Sequence, residues 1–187
     1  MFIQTEPTPN PATLKFLPGR AVLASGTLDM RDKGSAAQSP LAERLFAITG
    51  VSGVFFGSDF IAVTKNAGEW QQLKPAILGA IMEYFMSGAP IVNGTDAAAS
   101  AERDEFFEEK DSETVAVIKE LIEARVRPAV ANDGGDITFR GFKDGIVYLD
   151  MKGACSGCPS STATLRHGIE NLLRHYLPDV VEVRPMG

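Results

Sequence analysis

At 187 residues with 44% apolar content, the chain is longer than one small domain needs and holds enough apolar side chains for two modest cores. Its formal charge of -6 is concentrated in residues 89–111, which carry seven acidic and two basic side chains; the near-neutral flanks exclude the basic surface that a nucleic-acid partner requires. No apolar run is long enough to cross a bilayer, which excludes a membrane partner of that kind, and the first fourteen residues contain three prolines and no Lys or Arg, unlike a secretory signal.

Phe2 to Thr5 and Thr13 to Leu17 read as strands joined by Pro7-Thr8-Pro9-Asn10-Pro11, whose fixed φ angles make a rigid turn rather than a binding loop. A third strand is expected within Leu23 to Met30. Ser39-Pro40 supplies a cap and a first helical residue, with Leu41, Leu45 and Ile48 on one face until Gly50 ends the helix. Val51 to Phe56 and Phe60 to Thr64 form a hairpin across Gly57-Ser58-Asp59. From Trp70 the period is helical, and Leu73, Ile77, Ala80, Ile81, Tyr84 and Phe85 make a broad stripe of core character. This half contains no cysteine or histidine, so no chemistry is assigned to it. Docking onto other proteins is the role left over.

Ser87-Gly88-Ala89-Pro90 breaks the helix, and Asn93 to Ser100 is small and polar enough for a linker. Glu102 to Asp111 is an acidic, solvated extension in which Phe106 and Phe107 are costly to leave in water, so they are expected to pack somewhere. Ser112 then caps a helix with Val115, Ile118, Leu121, Ile122 and Val126 on one face, which Pro128 should end or kink. Asp133-Gly134-Gly135-Asp136 reads as a glycine-enabled turn; as a cation site it lacks a third oxygen cluster. Ile137 to Phe142 and Ile146 to Met151 make a hairpin through Lys143-Asp144-Gly145. A helix opening at Pro159 follows, with Leu165, Ile169, Leu172, Leu173 and Tyr176 at helical spacing, and Val180 to Val183 adds a last strand.

Chemistry converges on Gly153-Ala154-Cys155-Ser156-Gly157-Cys158-Pro159, which holds the only two cysteines of the chain. Cys158 lies beside a helix N-terminus, where free N–H groups and the dipole favour thiolate. A structural disulfide there would close a tiny loop and stabilise little. A thioredoxin-like redox pair wants its first cysteine at the helix start of an early βαβ unit, whereas this pair comes late. Zinc or an iron-sulfur cluster takes four protein ligands, and a two-fold pair of chains would supply four thiolates where one chain supplies two. A centre shared between subunits is therefore expected. His167 and His175, the only histidines, fall about two and four turns beyond Pro159, too far to join it. No signal is found and both cysteines are reserved for chemistry, so a reducing compartment is expected. The bacterial cytoplasm fits best, although a processed mitochondrial matrix form would look the same.

Asp133 to Asp136 together with Gly153 to Pro159 resembles the C-terminal domain of NifU, and Met1 to Phe16 resembles the N-terminal domain of two-domain Nfu proteins. The resemblance implies a non-enzymatic carrier in which Cys155 and Cys158 hold a labile 4Fe-4S cluster between two subunits, as a homodimer, and pass it to apo iron-sulfur proteins. The expected fold is α+β. It comprises two small α/β-sandwich-like domains, 1–88 and 112–187, joined by an acidic linker over 89–111; each is a short, mostly antiparallel sheet with helices on one face. Two rivals use the same cysteines: a thiol-disulfide oxidoreductase and a zinc-bridged structural dimer.

Overall fold

The computed structural model describes residues 2–24, 27–93, 105–153 and 159–186, with backbone alone for 159–162 and 186. Two compact units, Met1–Ala98 and Ala99–Gly187, each enclose a core of their own. Among the described residues no helix is long and apolar enough to cross a membrane.

In the first unit, strands β1 (Gln4–Pro7), β2 (Thr13–Leu17), β3 (Leu28–Met30), β4 (Val51–Phe56) and β5 (Ile61–Lys65) form an antiparallel sheet in the order β1-β2-β5-β4-β3. The first strand runs two residues later than the sequence suggests and includes Pro7. As a sheet edge, β1 has one side that needs no donor, so proline is tolerated there. The turn after it is fastened at several points. Thr8 Oγ1 donates to the carbonyls of Asn10 (2.8 Å) and Thr13 (2.9 Å), and Trp70 Nε1 donates to the Pro11 carbonyl (3.1 Å). That is the rigid connection expected of a proline-rich turn.

Helix α1 (Pro40–Phe46) starts where the serine and proline direct it: the Ala42 N–H donates to Ser39 Oγ (3.2 Å), and Pro40 takes a first-turn position where its missing N–H costs nothing. Helix α2 (Trp70–Ser87) buries Leu73, Ile77, Ile81 and Tyr84, one residue per turn, against β-sheet side chains such as Phe16, Met30, Phe56 and Ile61. Each such burial is worth about 1.5–3 kcal/mol. Gly88, at φ +71°, closes α2 in the left-handed conformation that glycine adopts without strain.

The second unit is built differently at its edges. Its sheet has the order β6 (Phe106–Phe107), β7 (Gly135–Lys143), β8 (Ile146–Gly153), β9 (Glu182–Met186). The central β7–β8 hairpin is antiparallel, whereas β6 and β9 lie parallel to their neighbours. Phe106 and Phe107, inside the acidic stretch, pair with Gly141 and Phe142, and the Phe106 ring packs 5.1 Å from Tyr148, yet both side chains stay exposed, against the expectation that they are packed away. Gly141 makes room for that ring, because a Cβ there would lie 2.5 Å from it. A bulge between Phe139 and Gly141 leaves Arg140 unmatched in the ladder, and its guanidinium meets Asp150 at 3.0 Å.

Helix α3 (Ser112–Leu121) does not stop before Pro128. It continues through a π-helical turn, Ile122–Val126, into α4 (Arg127–Asn132). The wider turn accommodates the proline, which can neither donate to the carbonyl four residues back nor fit tightly against it. Val115, Ile118, Ile122, Val126 and Val130 still face the core continuously, where they meet Ile137, Leu149, Met151 and Val183. Helix α5 (Pro159–Tyr176) closes the unit through Ile169 and Leu173.

Candidate functional site

Strand β8 releases the chain at Gly153 and α5 takes it up at Pro159, so the cysteine segment bridges a strand end and a helix start. Cys155 and Cys158 themselves lie outside the described residues. What the structure supplies is the frame on either side of them. Gly153 leaves the strand at φ +67°, a turn that a side-chain-bearing residue would enter under strain. Beyond the cysteine segment, Leu165, Ile169, Leu172 and Leu173 hold α5 on the core, and no acidic side chain stands in the first turn to offset the positive end of the helix dipole. Such an end suits anionic sulfur.

The other wall of the frame comes from the start of β7. In the antiparallel register Gly135 stands opposite Gly153, and Asp136 opposite Lys152. Gly134, at φ +81°, turns the chain out of α4 and into that strand, as the glycine-enabled reading requires. The acids of this motif do not assemble a cation site. Asp133 is exposed, while Asp136 is buried and receives Arg127 in a two-pronged contact, Nε to Oδ1 at 3.0 Å and Nη2 to Oδ2 at 3.1 Å. Arg127 Nη1 also donates to Glu123 Oε2 at 2.6 Å. These bonds, the Asp136 pair first, hold the Arg127 guanidinium even further above neutrality than usual. Among the described residues no group of three or more His, Cys, Asp or Glu gathers to hold a metal.

Sequence reasoning placed Asp136 in a turn and gave Arg127 no role. The signals were present, an acid opening an apolar strand and an arginine on a helix nine positions earlier, but their meeting is tertiary and leaves no periodicity. His167 and His175 are both exposed on α5, about 12 and 24 Å along its axis from Pro159. His175 packs edge-on against Tyr176, 5.1 Å away.

Two family models match the chain: one described as "Scaffold protein Nfu/NifU N terminal" over residues 3–88, and one described as "NifU-like domain" over residues 118–184. NifU-like protein 4, mitochondrial, of Arabidopsis thaliana is 53% identical over 183 residues, covering 96% of this chain and 64% of the relative. The human protein named "NFU1 iron-sulfur cluster scaffold homolog, mitochondrial" is 51% identical over 182 residues, covering 96% of this chain and 70% of the relative. The chain thus spans about two thirds of the length of the curated relatives it matches. A solution structure of a NifU-like protein from Saccharomyces cerevisiae aligns with TM-score 0.46 and 25% identity, over 51% of this chain and 87% of that one.

One expectation is corrected by these relatives. The bacterial cytoplasm was the compartment that best fitted the sequence, yet the plant, human and fly relatives are all named mitochondrial. The physical reason is plain: reduced thiols and an acidic, unspecialised composition suit any reducing compartment, so they cannot distinguish among them. By its two matched domains in this order, and by the half-identity it keeps over nearly its whole length, the chain belongs to the NifU-like, or Nfu, family of iron-sulfur cluster scaffold proteins.

Proposed function

We propose that this chain is a carrier, not an enzyme, that assembles a 4Fe-4S cluster between two subunits and passes it to apo iron-sulfur proteins. Cys155 and Cys158 of each copy are the ligands in this reading. The observation that carries it is stoichiometric: a member of a scaffold family has two cysteines in all, both in one segment between a strand end and a helix start, and a tetrahedral set of four thiolates needs a second copy. A cluster held at a seam between two short cysteine segments is open to an acceptor's thiolates, which can replace the carrier's one at a time. A cluster enclosed by a single chain offers no such route. Residues 1–88 are, in this account, the surface that meets clients or assembly machinery, and residues 112–187 the cluster-bearing part, to whose sheet the acidic stretch 89–111 contributes β6. The names of the relatives support a mitochondrial setting.

The test is anaerobic reconstitution with ferrous iron and sulfide, followed by native mass and an iron count. The carrier reading expects one 4Fe-4S cluster per two chains, and expects Cys155→Ser and Cys158→Ser each to abolish uptake while far-UV circular dichroism stays unchanged. Tight zinc without iron uptake would instead favour a zinc-bridged dimer. A monomer with a well-defined dithiol potential and no cluster would favour the oxidoreductase.

A further inference from the structure

We infer that the Arg127–Asp136 pair is a positioning device for the cysteine segment, and that disrupting it shortens the time a cluster stays bound. The inference rests on the carrier reading above. Asp136 is the second residue of β7 and stands opposite Lys152, while Gly135 stands opposite Gly153, the residue from which the segment departs. Whatever fixes Asp136 therefore fixes the strand end that launches Cys155. Arg127 does this from the neighbouring helix, with both carboxylate oxygens gripped by one planar group, so that the contact sets an orientation as well as a distance.

Stability alone is a poor explanation for this pair. Among the described residues of the second unit, Asp136 is the one charged side chain that is buried. A buried ion pair is usually no better than a well-packed apolar pair for holding a core together. The helix also departs from α geometry at Ile122–Val126, immediately before Arg127, and Glu123 reaches across that π turn to take a further guanidinium N–H. The same wider turn that admits Pro128 sets Arg127 beside that strand end, and turns of this kind are frequent at functional sites.

The test uses the full chain, reconstituted with ferrous iron and sulfide, and reads three quantities: the half-life of the cluster absorbance under a chelator, the melting temperature, and amide exchange at Lys152 and Gly153 in the apo chain. Arg127→Lys keeps the cation and stem but cannot make the two-pronged contact. It is expected to melt within about 5 °C of wild type. Its cluster half-life should fall roughly tenfold, the scale on which groups behind metal ligands act. Exchange at Lys152 and Gly153 should quicken by a similar factor while Val147 and Leu149 stay protected. The double variant Arg127→Met with Asp136→Leu replaces the pair by apolar groups; it should be at least as stable as wild type and equally leaky. A wild-type half-life with wild-type exchange in either folded variant overturns the inference. So does unfolding of Arg127→Lys, which would make the pair a stability element alone. If wild type takes up no cluster, the carrier reading fails by itself, and exchange in the apo variants still decides whether the pair positions the strand end.

Discussion

The place of Phe106 in the second sheet can be tested through the glycine beneath it. An added Cβ at Gly141 would lie 2.5 Å from the Phe106 ring, far inside van der Waals contact, so Gly141→Ala must displace the ring and is expected to loosen β6 with it. Phe106 is 39% exposed, so about three fifths of its side chain returns to water, worth about 1–2 kcal/mol. Losing the pair with Tyr148 adds about 0.5–1.5 kcal/mol, and loosening the two-residue ladder to β7 about 1 kcal/mol. Alanine returns about 0.5–1 kcal/mol by restricting the unfolded chain. The net loss should be about 2–3 kcal/mol, confined to the second unit. The chain makes this readable, because its single tryptophan, Trp70, sits in α2 of the first unit. In a urea titration, tryptophan fluorescence should give an unchanged midpoint, while far-UV circular dichroism shows the second unit unfolding roughly 1 M earlier. The decisive comparison is the same substitution in a Phe106→Ala background, where no ring remains to be expelled and the cost should nearly vanish. An equal cost in both backgrounds, or a cost under about 0.5 kcal/mol in wild type, would refute the packing argument.

Two further outcomes concern the first unit. Ser39 is fully buried, caps α1 through the Ala42 N–H and donates its hydroxyl to the Ile91 carbonyl, so Ser39→Ala removes a cap and strands an acceptor; a loss of about 2 kcal/mol is expected in the Trp70 transition. Burial raises the Tyr84 phenol above its usual 10.0, against the opposing pull of Arg44. The folded state thus holds the neutral phenol more tightly than the unfolded chain does: the contribution is complete below pH 10 and is lost as pH climbs through the raised value. Tyr84→Phe should remove this alkaline limb from a stability-versus-pH curve, at the expense of the bond to the Pro90 carbonyl, about 1 kcal/mol at neutral pH.

What could be read in advance was local. Ser39-Pro40, the Gly57 and Gly145 turns and the α2 stripe each carry their instruction within one element, and the structure places a cap, two hairpins and a buried helix face there. What could not be read needed a distant partner. Two phenylalanines in an acidic run carry no period, and their strand exists because Gly141, far along the chain, leaves a hollow. Pro128 by itself signals an end or a kink without saying which, and the apolar face running from Val115 to Val130 is long enough to carry the helix past it once a π turn widens the backbone. At the candidate site the cysteines stood out because thiols are rare and close together, whereas Arg127 and Asp136 are ordinary residues whose pairing appears only after folding.

The margins of the two sheets limit how this chain's backbone can pair with another chain. One sheet ends in β1, which carries Pro7, and in the three-residue β3; the other ends in β9, which carries Pro185, and in the two-residue β6. A strand that is brief or lacks a donor makes a poor template for another chain's backbone. For the carrier proposed above, whose work calls for a temporary encounter between twins, ribbons blunted in this way keep self-association by zippering from trapping two copies in a lasting and unproductive embrace.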